Sequence, residues 1–141
     1  MKTVFGFEET SRFLKKMGSG IEERMERAMQ KATLVVEAAA KENIVHGRAE
    51  WPALAPSTLA RRKDSRILYD QGTLLRSIHS EASAMQGVIG SGLKYAPVHE
   101  FGCNNAGINR DVTISQRSYL EPAAAENVEK IKEVYIEELK P

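Results

Sequence analysis

Several features that define common protein classes are scarce in this sequence. Cys103 is the only cysteine among 141 residues, so no internal disulfide can form and synthesis in a reducing compartment is expected. The longest apolar run falls far short of the ~20 residues that a membrane helix needs. The first six residues lack the apolar stretch of a signal peptide. These absences predict a cytoplasmic place of synthesis and no membrane partner.

Charge of one sign is also scarce. The chain has 20 basic and 19 acidic residues, and its net charge is +1. A broad surface for nucleic acid would concentrate positive charge, which this composition as a whole does not do. Hydrophobic residues make up 42% of the chain, and its length suits one domain over residues 1–141 with a modest core.

No group of residues predicts catalysis or metal binding. Of the histidines, only His99 lies near other candidate ligands, Glu100 and Cys103, whereas zinc needs three or four protein donors. Cys103 has no evident base to activate it. The glycine-rich tract 87–92 lacks the lysine of a phosphate-binding loop. We therefore predict no catalytic residue, no metal and no cofactor, and expect His99 to pack or to satisfy a buried backbone group. The alternative, a small hydrolase or metal-dependent enzyme, has less support in the sequence than a non-catalytic protein.

Helical periodicity is clearest over residues 21–45, where apolar residues recur every three or four positions. Ser19 and Glu22 have the spacing of a capping box at its start. The pattern predicts a second, short helix over 9–17, which Gly18 and Gly20 separate from the long one. We treat residues 1–18 as an N-terminal arm, with a short strand or docked segment over 1–8.

The middle of the chain predicts a small antiparallel sheet, and Pro122 opens a final helix. The fold class is therefore α+β, with a long N-terminal helix and a C-terminal helix packed on the sheet. The shorter elements are a helix over 58–63 capped by Ser57, a hairpin of 77–83 and 86–91, a helical turn over 95–101, a flexible loop over 102–110 and a third strand at 112–114.

One dense basic tract contains Arg61, Arg62, Lys63 and Arg66. A solvated helix face is the favoured interpretation, and contact with DNA or an acidic partner is the other. The second interpretation would make the chain a small nucleic-acid-binding module, with these four residues as the candidate interface. Trp51, the only tryptophan, fits equally a packed core aromatic and an anchor between subunits.

Five segments, in order, match short motifs. They are 51–63 with W-x-x-L-x-P-x-T-L-A-x-R-K, 67–78 with I-L-x-D-T-G-x-L-x-x-S-I, 88–91 with V-x-I-G-S, 95–102 with Y-A-x-x-H-x-x-G, and 117–120 with R-x-F/Y-L. Their order and spacing resemble the virion-morphogenesis, or tail-completion, family of Mu-like phages, which is related to head–tail connector proteins. The resemblance covers about residues 20–140. Gln71 and Ser118 depart from the family pattern, where Thr and Pro are common.

This resemblance implies a non-catalytic structural protein that acts in tail completion or head–tail joining as a homo-oligomeric ring. Its implied partners are further copies of itself and tail-tube, tail-terminator or connector subunits. The basic tract adds transient contact with DNA to these expectations. It would occupy the host-cell cytoplasm during assembly and then the virion. Glycines of the motifs suit tight turns or positive φ. The motif residues with an implied structural role are Trp51, Asp70, Gly72, Gly90, Tyr95, His99, Gly102, Tyr119 and Leu120.

Overall fold

A computed structural model of the protein describes residues 7–140, which form six helices and four strands. Over these residues, no helix combines the length and the apolar character needed to cross a bilayer. The fold is α+β, as predicted. In chain order the elements are α1 (Phe7–His46), α2 (Pro56–Arg61), α3 (Thr73–Ser77), β1 (Ile78–Ala82), β2 (Gly87–Ser91), α4 (Ala96–Phe101), β3 (Cys103–Ala106), β4 (Val112–Ile114), α5 (Glu121–Ala125) and α6 (Val128–Glu138).

Helix α1 is one continuous helix of 40 residues, about 60 Å long at 1.5 Å per residue. The predicted break at Gly18 and Gly20 and the capping role of Ser19 were wrong, because the helix runs through all three residues. Two glycines cost the helix about 2 kcal/mol, and good helix formers on both sides outweigh that cost. Residues 7–18 of the predicted arm are therefore helical, and residues 1–6 lie outside the described part.

The core forms where α1 meets the other elements. Its buried positions recur every four residues, and several are alanine, so neighbouring backbones approach closely. Helix α6 lies antiparallel along α1, since the Arg24 guanidinium donates to the carbonyl of Lys140 and Ile131 packs against the cluster that contains Val36. The buried residues of α1 are Ala28, Ala32, Thr33, Val36, Ala40 and Ile44.

The strands form two separate antiparallel pairs. Strands β1 and β2 make the predicted hairpin, with Ile78 opposite Ser91 and Ala82 opposite Gly87. The predicted third strand exists as β4, but it pairs with β3 rather than with the hairpin. The segment 102–110, predicted to be a loop, therefore contains a strand. Gly102, at φ 74°, redirects the chain into β3, and the amide of Arg117 bonds the carbonyl of His99 to bring the chain back.

Two helix boundaries differ from the predictions. Helix α2 starts at Pro56, with Ala55 as its N-cap and no side-chain cap, so Ser57 is inside the helix. Proline suits this place because it has no amide hydrogen and its φ is already helical. The C-terminal helix has two parts, α5 and α6, and Pro122 lies near the start of the first, as predicted.

The glycines of the hairpin predict a large difference between two neighbouring substitutions. A Cβ added at Gly87 would overlap the Cγ2 methyl of Thr33 and lie 3.0 Å from the sulfur of Met29. The Thr33 hydroxyl bonds the carbonyls of Met29 and Gln30, so this side chain cannot rotate away freely. We expect Gly87→Ala to lower the free energy of unfolding by about 2 kcal/mol, measured by urea denaturation.

Gly90→Ala is the matched control, because a Cβ there meets no atom within 4 Å. Its φ is not positive, unlike those of Gly72 and Gly102, so the conformational role proposed for Gly90 was wrong. We expect its stability to stay within about 0.5 kcal/mol of the wild type. Equal losses in the two variants would contradict the close approach of β2 to α1.

Candidate partner-binding site

Four of the five motif segments meet around one cavity of about 440 Å³. Its walls are the loops and short helices beside α4, and its residues come from positions between 54 and 117. The polar and aromatic residues that line the cavity are Arg62, Asp70, Tyr95, His99 and Arg117. Leu74 belongs to its apolar wall. No local pattern links these positions, and only the tertiary fold brings them together.

Arg62 is held at the cavity by one backbone bond and one ion pair. Its Nη1 donates to the carbonyl of Ile67 at 3.0 Å. Its Nε lies 3.6 Å from Oδ1 of Asp70, which is within ion-pair range and too long for a hydrogen bond. The Arg62 side chain is 13% exposed and the Asp70 side chain 51%. Solvent therefore screens the aspartate, and the guanidinium is only partly neutralised.

Arg117 is buried without a carboxylate partner among the described residues. Its Nε donates to the carbonyl of Pro52 at 3.0 Å, and its Nη2 donates to that of Ala53 at 3.1 Å. Burial lowers its pKa, and the positive charge of Arg62 lowers it further. Arginine remains protonated in proteins at neutral pH. Arg117 therefore contributes a positive charge to the cavity.

His99 packs edge-on against Tyr95, with ring centroids 5.8 Å apart, so the two side chains lie on the same side of α4. Its Nδ1 is buried and has no hydrogen-bond partner within residues 7–140. Of the two roles predicted for His99, packing is confirmed by the contact with Tyr95, whereas Nδ1 bonds no backbone group. Burial, and then the charges of Arg117 and Arg62, lower the pKa of His99. The ring is therefore neutral at pH 7.

Glu100 lies next to this cavity, and its role is to hold the backbone. Its carboxylate accepts hydrogen bonds from the Ser118 hydroxyl at 2.6 Å and from the amides of Tyr119, Leu120 and Glu121 at 2.8 to 3.0 Å. Burial raises its pKa, but the bonds from Ser118 and the three amides outweigh burial and leave the pKa below its ordinary value. Glu100 thus caps the start of α5 from twenty residues away.

These bonds occupy the oxygen atoms that a metal would need. Cys103 is half-buried in β3. Over residues 7–140, no three His, Cys, Asp or Glu side chains are grouped to hold a metal ion. In the sequence, Glu100 stood out as a candidate ligand or catalytic acid, and the signal for its backbone-holding role was a lone acid in the short helix α4.

The motif at 117–120 joins three parts of the molecule. Trp51 is 7% exposed, and its indole Nε1 donates to the carbonyl of Ser118 at 3.1 Å. The Asn43 amide of α1 donates to the carbonyl of Tyr119 at 3.0 Å. Tyr119 is 1% exposed and packs in the main core cluster, against which Leu120 packs. The two interpretations of Trp51 are thereby decided in favour of a packed core aromatic.

The sequence also matches a known protein family. The model of the phage virion morphogenesis family matches residues 7–140. The chain belongs to this family. Searches of curated proteins and of solved structures gave no match. As a virion morphogenesis protein, it serves in the building of the phage particle, in a structural role.

In this virion morphogenesis protein, the basic tract is not one continuous patch. Arg66 pairs with both carboxylate oxygens of Asp64 and lies 3.7 Å over the Tyr69 ring. Arg62 lines the cavity. Arg61 and Lys63 are exposed, and Arg61 donates to the carbonyl of Ser57 in its own helix. The charge of the tract is thus divided, which weakens the case for nucleic-acid binding.

A second surface is the N-terminal third of α1, which carries four exposed apolar side chains. Phe13 is 62% exposed, Leu14 60%, Met17 44% and Ile21 41%. The chain end after α6 reaches α1 at Arg24, so these four lie beyond that contact. We call them the apolar stripe. Its three- and four-residue spacing was visible in the sequence, but the expected break at Gly18 and Gly20 divided it.

Proposed function

We propose that this protein completes the tail, or joins head and tail, as a non-catalytic subunit that assembles into a ring with other copies. It would act in the host-cell cytoplasm during assembly and then at the head–tail junction or tail end. The observation that supports this proposal is the apolar stripe on α1. Family membership supports the structural role in the virion.

The apolar stripe lies on one face of α1, and towards the C-terminal end of the helix the same face is buried in the core. Leu14, Ile21 and Ala28 are seven residues apart, which returns to the same side after two helical turns. Ala28 is fully buried, whereas Leu14 and Ile21 are exposed. A contiguous apolar patch on a helix is typical of a protein–protein contact. Covering four such side chains stabilises a complex by roughly 6 kcal/mol before the costs of association.

A groove between α1 and α6 on a neighbouring copy fits this stripe. The groove has a volume of about 560 Å³, and its apolar lining includes Leu34, Val35, Ala38 and Ala39. Leu34 is 58% exposed. The stripe spans about 12 Å along its helix and the apolar floor of the groove about 8 Å, so the floor can cover most of the stripe. Two different surfaces that meet head to tail generate a ring when the rotation closes.

Contacts with other virion subunits would use surfaces that the ring leaves open. The turn between β3 and β4 presents Ile108, whose side chain is fully exposed. We propose this hairpin, Cys103–Ile114, as the contact with tail-tube, tail-terminator or connector subunits. Exposed loops often become ordered when such assemblies form.

The double substitution Phe13→Gln with Met17→Gln tests the ring. Glutamine keeps helix propensity and removes the apolar surface. We expect the wild type to form a closed oligomer in native mass spectrometry and electron microscopy, alone or with tail particles, and the variant to stay monomeric. Leu34→Gln on the groove should have the same effect.

The pair Lys15→Gln with Lys16→Gln is the control, since these exposed residues flank the apolar stripe on the same helix. It should assemble like the wild type. A wild type that stays monomeric both alone and with tail particles would overturn the proposal. So would a Phe13→Gln, Met17→Gln variant that forms the same ring as the wild type.

A further inference from the structure

We propose that the cavity beside α4 binds one carboxylate group, presented by an acidic side chain on a neighbouring virion subunit. This inference rests on the assembly role proposed above. The cavity has no part in the ring contact between the apolar stripe and the groove, because the two surfaces share no residue. It would therefore be a separate point of contact with a partner.

The charges around the cavity do not balance. Arg62 and Arg117 each carry a positive charge, His99 is neutral at pH 7, and Asp70 is the acidic residue among the lining side chains. Asp70 is half exposed and does not hydrogen-bond Arg62. The lining residues thus carry a net charge of +1, which a single incoming carboxylate would neutralise.

Hydrogen-bond donors remain available beside these charges. Within the described residues, the bonds of Arg117 use Nε and Nη2, and the bond of Arg62 uses Nη1. Nη1 of Arg117 and Nη2 of Arg62 therefore have N–H groups to offer. Nδ1 of His99 lies buried next to this cavity and has no hydrogen-bond partner within residues 7–140. Polar groups shielded from solvent are usually paired in proteins, so these N–H groups favour a hydrogen-bond acceptor at the cavity.

The walls favour a protein side chain over a nucleic-acid phosphate. Leu54, Leu68 and Leu74 line the cavity and suit the methylene groups of a glutamate or aspartate. Both arginines are mostly shielded from solvent. A nucleic-acid backbone is usually contacted by exposed cations that track its groove. The volume of about 440 Å³ is ample for one side chain.

Two blocked tripeptides test the site: acetyl-Ala-Glu-Ala-amide and its Gln counterpart. Each would be titrated into the full-length protein at constant ionic strength and followed by the NMR signals of the His99 ring and the arginine Nε–H groups. We expect the Glu peptide to shift these signals and to bind at least about fivefold more tightly than the Gln peptide.

Two substitutions at the cavity should act in opposite directions. Arg62→Gln should weaken binding of the Glu peptide about tenfold, since a charged donor is lost. Asp70→Asn should strengthen it roughly threefold, because a competing carboxylate is removed. Arg66→Gln, in the same tract but paired with Asp64 outside the cavity lining, is the matched control and should bind like the wild type.

Equal binding of the two peptides, or no loss in Arg62→Gln, would overturn the proposal. Inorganic phosphate that binds more tightly than the Glu peptide would identify a phosphate site instead. Free acetate that binds as tightly as the peptide would overturn the assignment to a protein side chain. The variant Phe13→Gln, Met17→Gln should still bind the Glu peptide, so a failure of ring assembly can be told apart from a failure of this site.

Discussion

Glu100→Gln should lower the free energy of unfolding by about 3 kcal/mol at pH 7, which is roughly 10 °C in melting temperature for a chain of this length. The carboxylate accepts four hydrogen bonds, three of them from backbone amides that no water replaces easily. A neutral amide has one oxygen instead of two and brings its own donor hydrogens into the site. At least two buried donors would then lose their partner.

The stability loss caused by Glu100→Gln should depend on pH in a defined direction. Because the folded state lowers the pKa of Glu100, its stabilisation is complete above the ordinary value of 4.5 and is lost as pH falls through the folded value. The stability difference between the wild type and Glu100→Gln should therefore be constant above about pH 6 and shrink in acid. Urea denaturation at several pH values measures it.

Glu129→Gln is the control for this prediction. The Glu129 side chain is 82% exposed and forms a surface ion pair with Lys132. Surface ion pairs contribute little to stability, so Glu129→Gln should change the free energy of unfolding by less than about 0.5 kcal/mol at any of these pH values. A stability difference between the wild type and Glu100→Gln that grew towards acid pH would contradict a carboxylate held in its charged form.

Trp51→Ala should lower the free energy of unfolding by about 4 kcal/mol, which is the other large effect expected in this protein. The indole is buried in the main core cluster with Ile44, Leu68 and Tyr119. Its loss leaves a cavity and also removes the donor to the carbonyl of Ser118. Thermal unfolding followed by circular dichroism measures the loss, since the variant has no tryptophan fluorescence.

Trp51→Phe separates the two contributions, because it keeps an aromatic ring and removes the indole N–H. We expect it to lower the free energy of unfolding by about 2 kcal/mol, so its stability should lie between those of the wild type and Trp51→Ala. Leu59→Ala is the control, at a residue of α2 that is 43% exposed, and should cost less than about 1 kcal/mol. A Trp51→Ala variant as stable as Leu59→Ala would contradict the core role of Trp51.

Sequence periodicity predicted the elements whose stabilising contacts are local. The long helix over 21–45 and the hairpin of β1 and β2 both follow from spacing that neighbouring residues maintain. The helix break at Gly18 and Gly20 was wrong, since helix propensity is a weak preference that flanking residues can override. Strand β3 was missed because Asn104 and Asn105 disfavour strands and only pairing with β4 stabilises one there.

By itself, the sequence determined the α+β class, the helical and hairpin segments and the order of motifs that indicates the phage virion morphogenesis family. The tertiary structure alone decided what the polar motif residues do. Glu100 meets its partners about twenty residues away, and Arg62, His99 and Arg117 meet at one cavity across more than fifty residues. Spacing along a chain cannot encode such contacts, because they depend on how separate elements pack in three dimensions.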